Sequence, residues 1–88
     1  MYQVIIFDWE GTLSDCDHLL PGAFTCVSAL HKAGYRLAVA TNKSARSLAH
    51  DLKHTGLEGF FEITRSADQT FPKPHPQMLE EILVYFQV

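Results

Sequence analysis

Residues 3–12, QVIIFDWEGT, decide the fold. Val4, Ile5, Ile6 and Phe7 form an almost unbroken apolar run rich in β-branched side chains. That is the pattern of a short strand covered on both faces within a parallel sheet. The run stops abruptly on a carboxylate, Asp8. Downstream the same change recurs: RLAVAT (36–41) is a second apolar strand ending on a hydroxyl, Thr41, and FFEITRS (60–66) is a third.

Between these runs lie helical segments. Residues 11–22, GTLSDCDHLLPG, are polar and turn-rich. In AFTCVSALHKAG (23–34), Phe24, Val27, Leu30 and His31 fall together at helical spacing, with Pro21 expected to begin the helix and Gly34 to end it. A second helix is expected through ARSLAHDLKHTG (45–56), with Ser44 as N-cap and Gly56 as stop. The tail HPQMLEEILVYF (75–86) is helical by period, although ILVYFQV alone has strong strand propensity. Strand, helix, strand, helix, strand, helix predicts a right-handed βαβ series: an α/β fold with a parallel Rossmann-like sheet of about three strands and flanking helices.

With 88 residues, the chain reads as one small domain over residues 1–88. A 47% apolar content suits a globular core, and a formal charge of −3 with pI near 5.9 leaves no basic stripe for nucleic acid. The N-terminus lacks the charged and apolar regions of a signal peptide, and no stretch is long enough to span a membrane. A cytoplasmic location is therefore expected, and Cys16 and Cys26 are expected as free thiols.

In parallel sheets ligands sit at the carboxyl ends of strands. That edge would gather Asp8 and Glu10 after the first strand, Thr41 and Asn42 after the second, and Lys73 after the third. A carboxylate able to attack, a hydroxyl and amide able to hold oxygens, and a fixed cation suit phosphoryl transfer.

These residues carry a resemblance. FDWEGTLSD (7–15) resembles the first motif of the haloacid dehalogenase superfamily, VATNKS (39–44) its second and FPKPHP (71–76) its third. The running order over nearly the whole chain is similar to the phosphoglycolate-phosphatase-like branch. The resemblance implies a three-layer fold of that superfamily's type and a Mg2+-dependent phosphatase acting on a small phosphorylated metabolite. It implies Asp8 as nucleophile, forming an aspartyl-phosphate, and Glu10 as the acid that protonates the leaving alcohol and then activates water. Asp8 and the backbone at Glu10 would hold Mg2+. Thr41 and Asn42 would bind phosphate oxygens, Gly11 and Thr12 would help bind the substrate, and Lys73 would neutralise charge.

Three departures qualify what the resemblance implies. Glu10 is one methylene longer than the family's usual Asp, a displacement of ~1 Å of the kind that costs on the order of 100-fold in rate. Between Ser14 and Leu20 there is no room for a helical cap, so the site is expected to be open to water. The sequence given ends before the acidic segment that completes the family's metal shell, and Asp15, Asp17 and Asp68 do not stand at the matching place. The strand QVIIF is accordingly expected to expose an edge and to form a homodimer or strand-exchanged oligomer. Two readings follow: a capless phosphatase, or a truncated, inactive core that binds phosphate or self-associates.

Other patterns carry less. An EF-hand over Asp8–Ser14 fails because Leu13 stands where glycine is needed and no helix precedes it. A receiver domain is only a distant analogy, since its phosphorylated Asp lies on a later strand. His50 and His54, four apart, lack a third ligand and read as exposed helix residues. Trp9 reads either as packing or as a leaving-group contact, and His18 is a further substrate-contact candidate.

Overall fold

The computed structural model describes residues 3–9, 12–15, 18–69 and 76–87. In chain order they form β1 (Val4–Phe7), β2 (Ser14–Asp15), β3 (His18–Leu19), α1 (Ala23–Lys32), β4 (Arg36–Ala40), α2 (Ala45–Thr55), β5 (Ile63–Arg65) and α3 (Gln77–Phe86). β1, β4 and β5 make the expected parallel sheet, in the order β1-β4-β5.

Side chains alternate across a strand, so this sheet has two apolar faces to cover. Ile5, Phe7, Leu37 and Val39 face one way and pack with Ala23 and Val27 of α1 and Leu48 and Leu52 of α2. Val4, Ile6, Ala38, Ala40 and Ile63 face the other way, against Met78, Ile82 and Phe86 of α3. Three layers result. The small Ala38 and Ala40 let α3 lie close to the central strand, and burial of Met78, Ile82 and Phe86 at i, i+4 and i+8 resolves the ambiguous tail as helix. An Arg65–Glu81 ion pair of 2.9 Å and the Arg36 guanidinium, 4.8 Å from the Phe86 ring centroid, hold the same helix. Leu37–Ala40 are buried, whereas Val4–Phe7 are all half-buried, because β1 is an edge of this sheet among the described residues.

Helix ends follow the sequence with one correction. Ser44 Oγ accepts from the Ser47 N–H at 3.1 Å, and Gly56, with φ 82°, ends α2. α1 closes at Gly34, where the Tyr35 N–H reaches the Leu30 carbonyl at 3.2 Å. Pro21, however, does not begin α1: Gly22 follows it in the left-handed region at φ 81°, and helical backbone starts only at Ala23. Within α1, Val27 is fully buried, but Phe24 is 44% exposed and, with His31, lies edge-on to Phe60.

The turn-rich stretch after β1 is more ordered than its composition announces. The Thr12 and Leu13 N–H groups both donate to the Trp9 carbonyl, at 3.3 and 3.0 Å. β2 and β3 then pair as an antiparallel hairpin with Ser14 opposite Leu19. Two-residue strands are too short to display an alternating pattern. Cys26 is a free thiol, and Cys16 lies outside the described residues. Among the described residues no helix is long and apolar enough to cross a membrane.

Candidate active site

The three parallel strands deliver polar residues to one edge. Phe7 is in register with Val39 and Ala40 with Arg65, so Asp8, Thr41 and Ser66 each follow the last residue of a strand at the same end of the sheet. The Thr41 N–H continues the ladder by donating to the Arg65 carbonyl at 3.0 Å. Neighbouring strands lie ~4.8 Å apart. Continuing the register sets Asp8 opposite Ala40, with Thr41 one residue farther along the adjacent strand.

Each is fixed by its own loop. Asp8 is exposed, and its Oδ1 accepts from the Trp9 N–H at 2.8 Å. Thr41 is only 1% exposed, and its Oγ1 accepts from the Lys43 N–H at 3.2 Å. A hydroxyl that accepts keeps its own proton to donate. Asn42 is exposed beside it, and Thr12 is exposed in the turn over Trp9. Of the residues singled out from sequence, Asp8, Thr12, Thr41 and Asn42 stand at this end of the sheet; Glu10, Gly11 and Lys73 lie outside the described residues.

Two participants, Lys43 and Asp51, were not read from sequence. Trp9 is fully buried, and its indole Nε1 donates to Asp51 Oδ2 at 3.1 Å. The Lys43 ammonium pairs with the same oxygen at 2.5 Å. Asp51, on α2, is 3% exposed. Burial pushes its carboxyl up, but the hydrogen bonds from Lys43 and Trp9 and the Lys43 charge outweigh that and hold it below the usual carboxylate range. A signal for this existed: Leu48, Asp51 and Leu52 share the core-facing stripe of α2, where a carboxylate needs a partner. A buried tryptophan likewise needs an acceptor for its N–H. Of the two readings of Trp9, packing is the observed one.

Asp68 stands elsewhere: its Oδ1 accepts from the Ala45 N–H at 3.0 Å, at the start of α2. His50 and His54 are exposed and stack with ring centroids 6.0 Å apart. Among the described residues no three His, Cys, Asp or Glu side chains cluster to hold a metal ion. The exposed Asp8 carboxylate nevertheless suits Mg2+, a hard cation bound through one or two carboxylates together with water and substrate phosphate.

Comparison with known proteins points to one family. A family model described as haloacid dehalogenase-like hydrolase matches residues 17–88. The phosphoglycolate phosphatase of Vibrio cholerae is 36% identical over 87 residues, which cover 94% of this chain and 38% of that protein. Pyrophosphatase PpaX of Anoxybacillus flavithermus is 32% identical over 65 residues, covering 73% of this chain and 30% of that protein. The chain thus spans less than two fifths of the length of these relatives. A solved HAD-superfamily hydrolase of subfamily IA from Geobacter sulfurreducens shares the fold with a TM-score of 0.90 at 17% identity, over 100% of this chain and 75% of that one.

Proposed function

The chain belongs to the haloacid dehalogenase-like hydrolase family, and from that premise we propose that it provides the phosphate-handling core of a Mg2+-dependent phosphatase for small phosphomonoesters. The observation that carries this reading is the placement of Asp8 and Thr41 at adjacent carboxyl ends of parallel strands. Relatives named for phosphoglycolate and for pyrophosphate support a phosphate substrate without choosing the rest of it.

In this reading an Asp8 carboxylate oxygen attacks phosphorus, the ester P–O bond breaks, and the leaving alkoxide takes a proton from Glu10. Glu10 then takes a proton from water, which attacks the aspartyl-phosphate, releasing inorganic phosphate and restoring Asp8. The Thr41 hydroxyl donates to a phosphate oxygen, the Asn42 backbone binds a second, and Lys73 offsets their charge. Gly11 and Thr12 contribute to substrate binding in this reading. The Asp8 carboxylate and the backbone carbonyl of Glu10 would hold Mg2+, which would supply charge neutralisation between a dianionic substrate and an anionic nucleophile.

The test is hydrolysis of p-nitrophenyl phosphate with and without Mg2+, using the chain and its Asp8→Asn variant. Metal-dependent turnover that vanishes in Asp8→Asn is expected; turnover surviving that substitution contradicts the assignment. A second reading, phosphate binding or self-association without turnover, draws on β1 being a sheet edge among the described residues. It predicts phosphate binding with no metal-dependent hydrolysis.

A further inference from the structure

We propose that Asp51 is a positioning residue that locks the two phosphate-site loops to each other through α2. The proposal rests on the reading of Asp8 and Thr41 as the phosphate site. Trp9 directly follows Asp8 and donates its backbone N–H to the Asp8 carboxylate, while its indole donates to Asp51. Lys43 is two residues beyond Thr41 and donates its backbone N–H to the Thr41 hydroxyl, while its ammonium pairs with Asp51. One carboxylate oxygen, Asp51 Oδ2, therefore receives both side chains, and each of those residues also grips a site residue through its backbone.

The hub is held from several sides. Asp51 sits between the buried Leu48 and Leu52, its carbonyl accepts from the Thr55 hydroxyl at 2.8 Å, and α2 is fixed at its start by Ser44 and Asp68. A buried ion pair is a weak source of stability, because the desolvation of two charges opposes their attraction. Its better attested effect is to fix one geometry. Here the geometry fixed is the spacing between the loop after β1 and the loop after β4, across which a phosphate would be held. A misplacement of about 1 Å between such groups costs on the order of 100-fold in rate.

The experiment compares the unsubstituted chain with Asp51→Asn, Asp51→Glu and Trp9→Phe, each at a folded fraction fixed by urea titration. Two readouts are taken: kcat and KM for p-nitrophenyl phosphate with Mg2+, and backbone amide shifts of Thr41 and Asn42 on titration with inorganic phosphate. Asn keeps an acceptor oxygen but removes the charge that holds the Lys43 ammonium, so Asp51→Asn is expected to lower kcat about 10- to 100-fold with a smaller change in KM, and to weaken the phosphate-induced shifts. Asp51→Glu should recover part of kcat. Trp9→Phe should lower kcat in the same direction, and Trp9→Phe combined with Asp51→Asn should be no worse than Asp51→Asn alone, as members of one network behave. If Asp51→Asn does not fold, Trp9→Phe decides. Folded variants that match the unsubstituted chain in kcat and phosphate shifts overturn the proposal while leaving the phosphatase reading intact. An unsubstituted chain with neither turnover nor phosphate shifts overturns both.

Discussion

A carboxylate buried among Leu48, Leu52 and Trp9 stays ionised because Lys43 and Trp9 donate to it, and that makes Asp51 a reporter of the network. Its folded pKa lies below the unfolded value, so its contribution to stability is full above the unfolded pKa and is lost as pH falls through the folded one. In Lys43→Met the main attractive charge is gone while burial still raises the carboxyl, with only the Trp9 hydrogen bond and the His50 charge left to lower it, so its pKa should rise. The variant should lose about 3 kcal/mol at pH 7, the cost of stranding one partner of a buried pair. That gap should narrow below about pH 4, where the carboxyl is neutral in the unfolded chain. Urea unfolding at pH 7 and at pH 3.5 measures it, and a gap independent of pH contradicts the account. Asp8 and Thr41 were legible from sequence because each polar residue closes an apolar run. Asp51 was not: in a string of letters it is one more charged residue on a helix, and only the positions of Leu48 and Leu52 put it on the buried face.

At the scale of elements, α3 offers the clearest test, because its residues favour a strand in isolation and form a helix in place. Helical geometry buries Ile82 completely and leaves Val84 75% exposed. Ile82→Ala should therefore destabilise by about 2–4 kcal/mol, whereas Val84→Lys should stay within about 0.5 kcal/mol, both read by denaturant titration. A strand would bury both residues on the same side, and comparable losses from the two substitutions would contradict the helix. Helical period identified the three helices and apolar runs the three parallel strands, although the third covers only Ile63–Arg65 of the expected 60–66. The β2–β3 hairpin was missed because its strands are two residues long. The start of α1 was misread because Pro21 is a good first helical residue, and only the left-handed Gly22 after it forbids that.

For the whole molecule, a sheet in the order β1-β4-β5 sets Asp8 on a strand that is an edge among the described residues. We propose that this edge pairs with a second copy of the chain; sedimentation velocity should show association that rises with concentration, and a monomer at tens of micromolar contradicts it. The fold itself was legible because alternation of strand and helix admits few topologies, and because three polar strand ends fall on one side of any parallel sheet. Coupling between the two site loops was not, since it depends on contacts between residues 42 positions apart in sequence, Trp9 and Asp51. The central claim is that Asp8 accepts the phosphoryl group. Rapid acid quench of the chain with a small aryl phosphate and Mg2+, followed by borohydride reduction and peptide mass spectrometry, tests it most directly. The account predicts conversion of Asp8 to homoserine; reduction at any other carboxylate, or at none while substrate turns over, contradicts it.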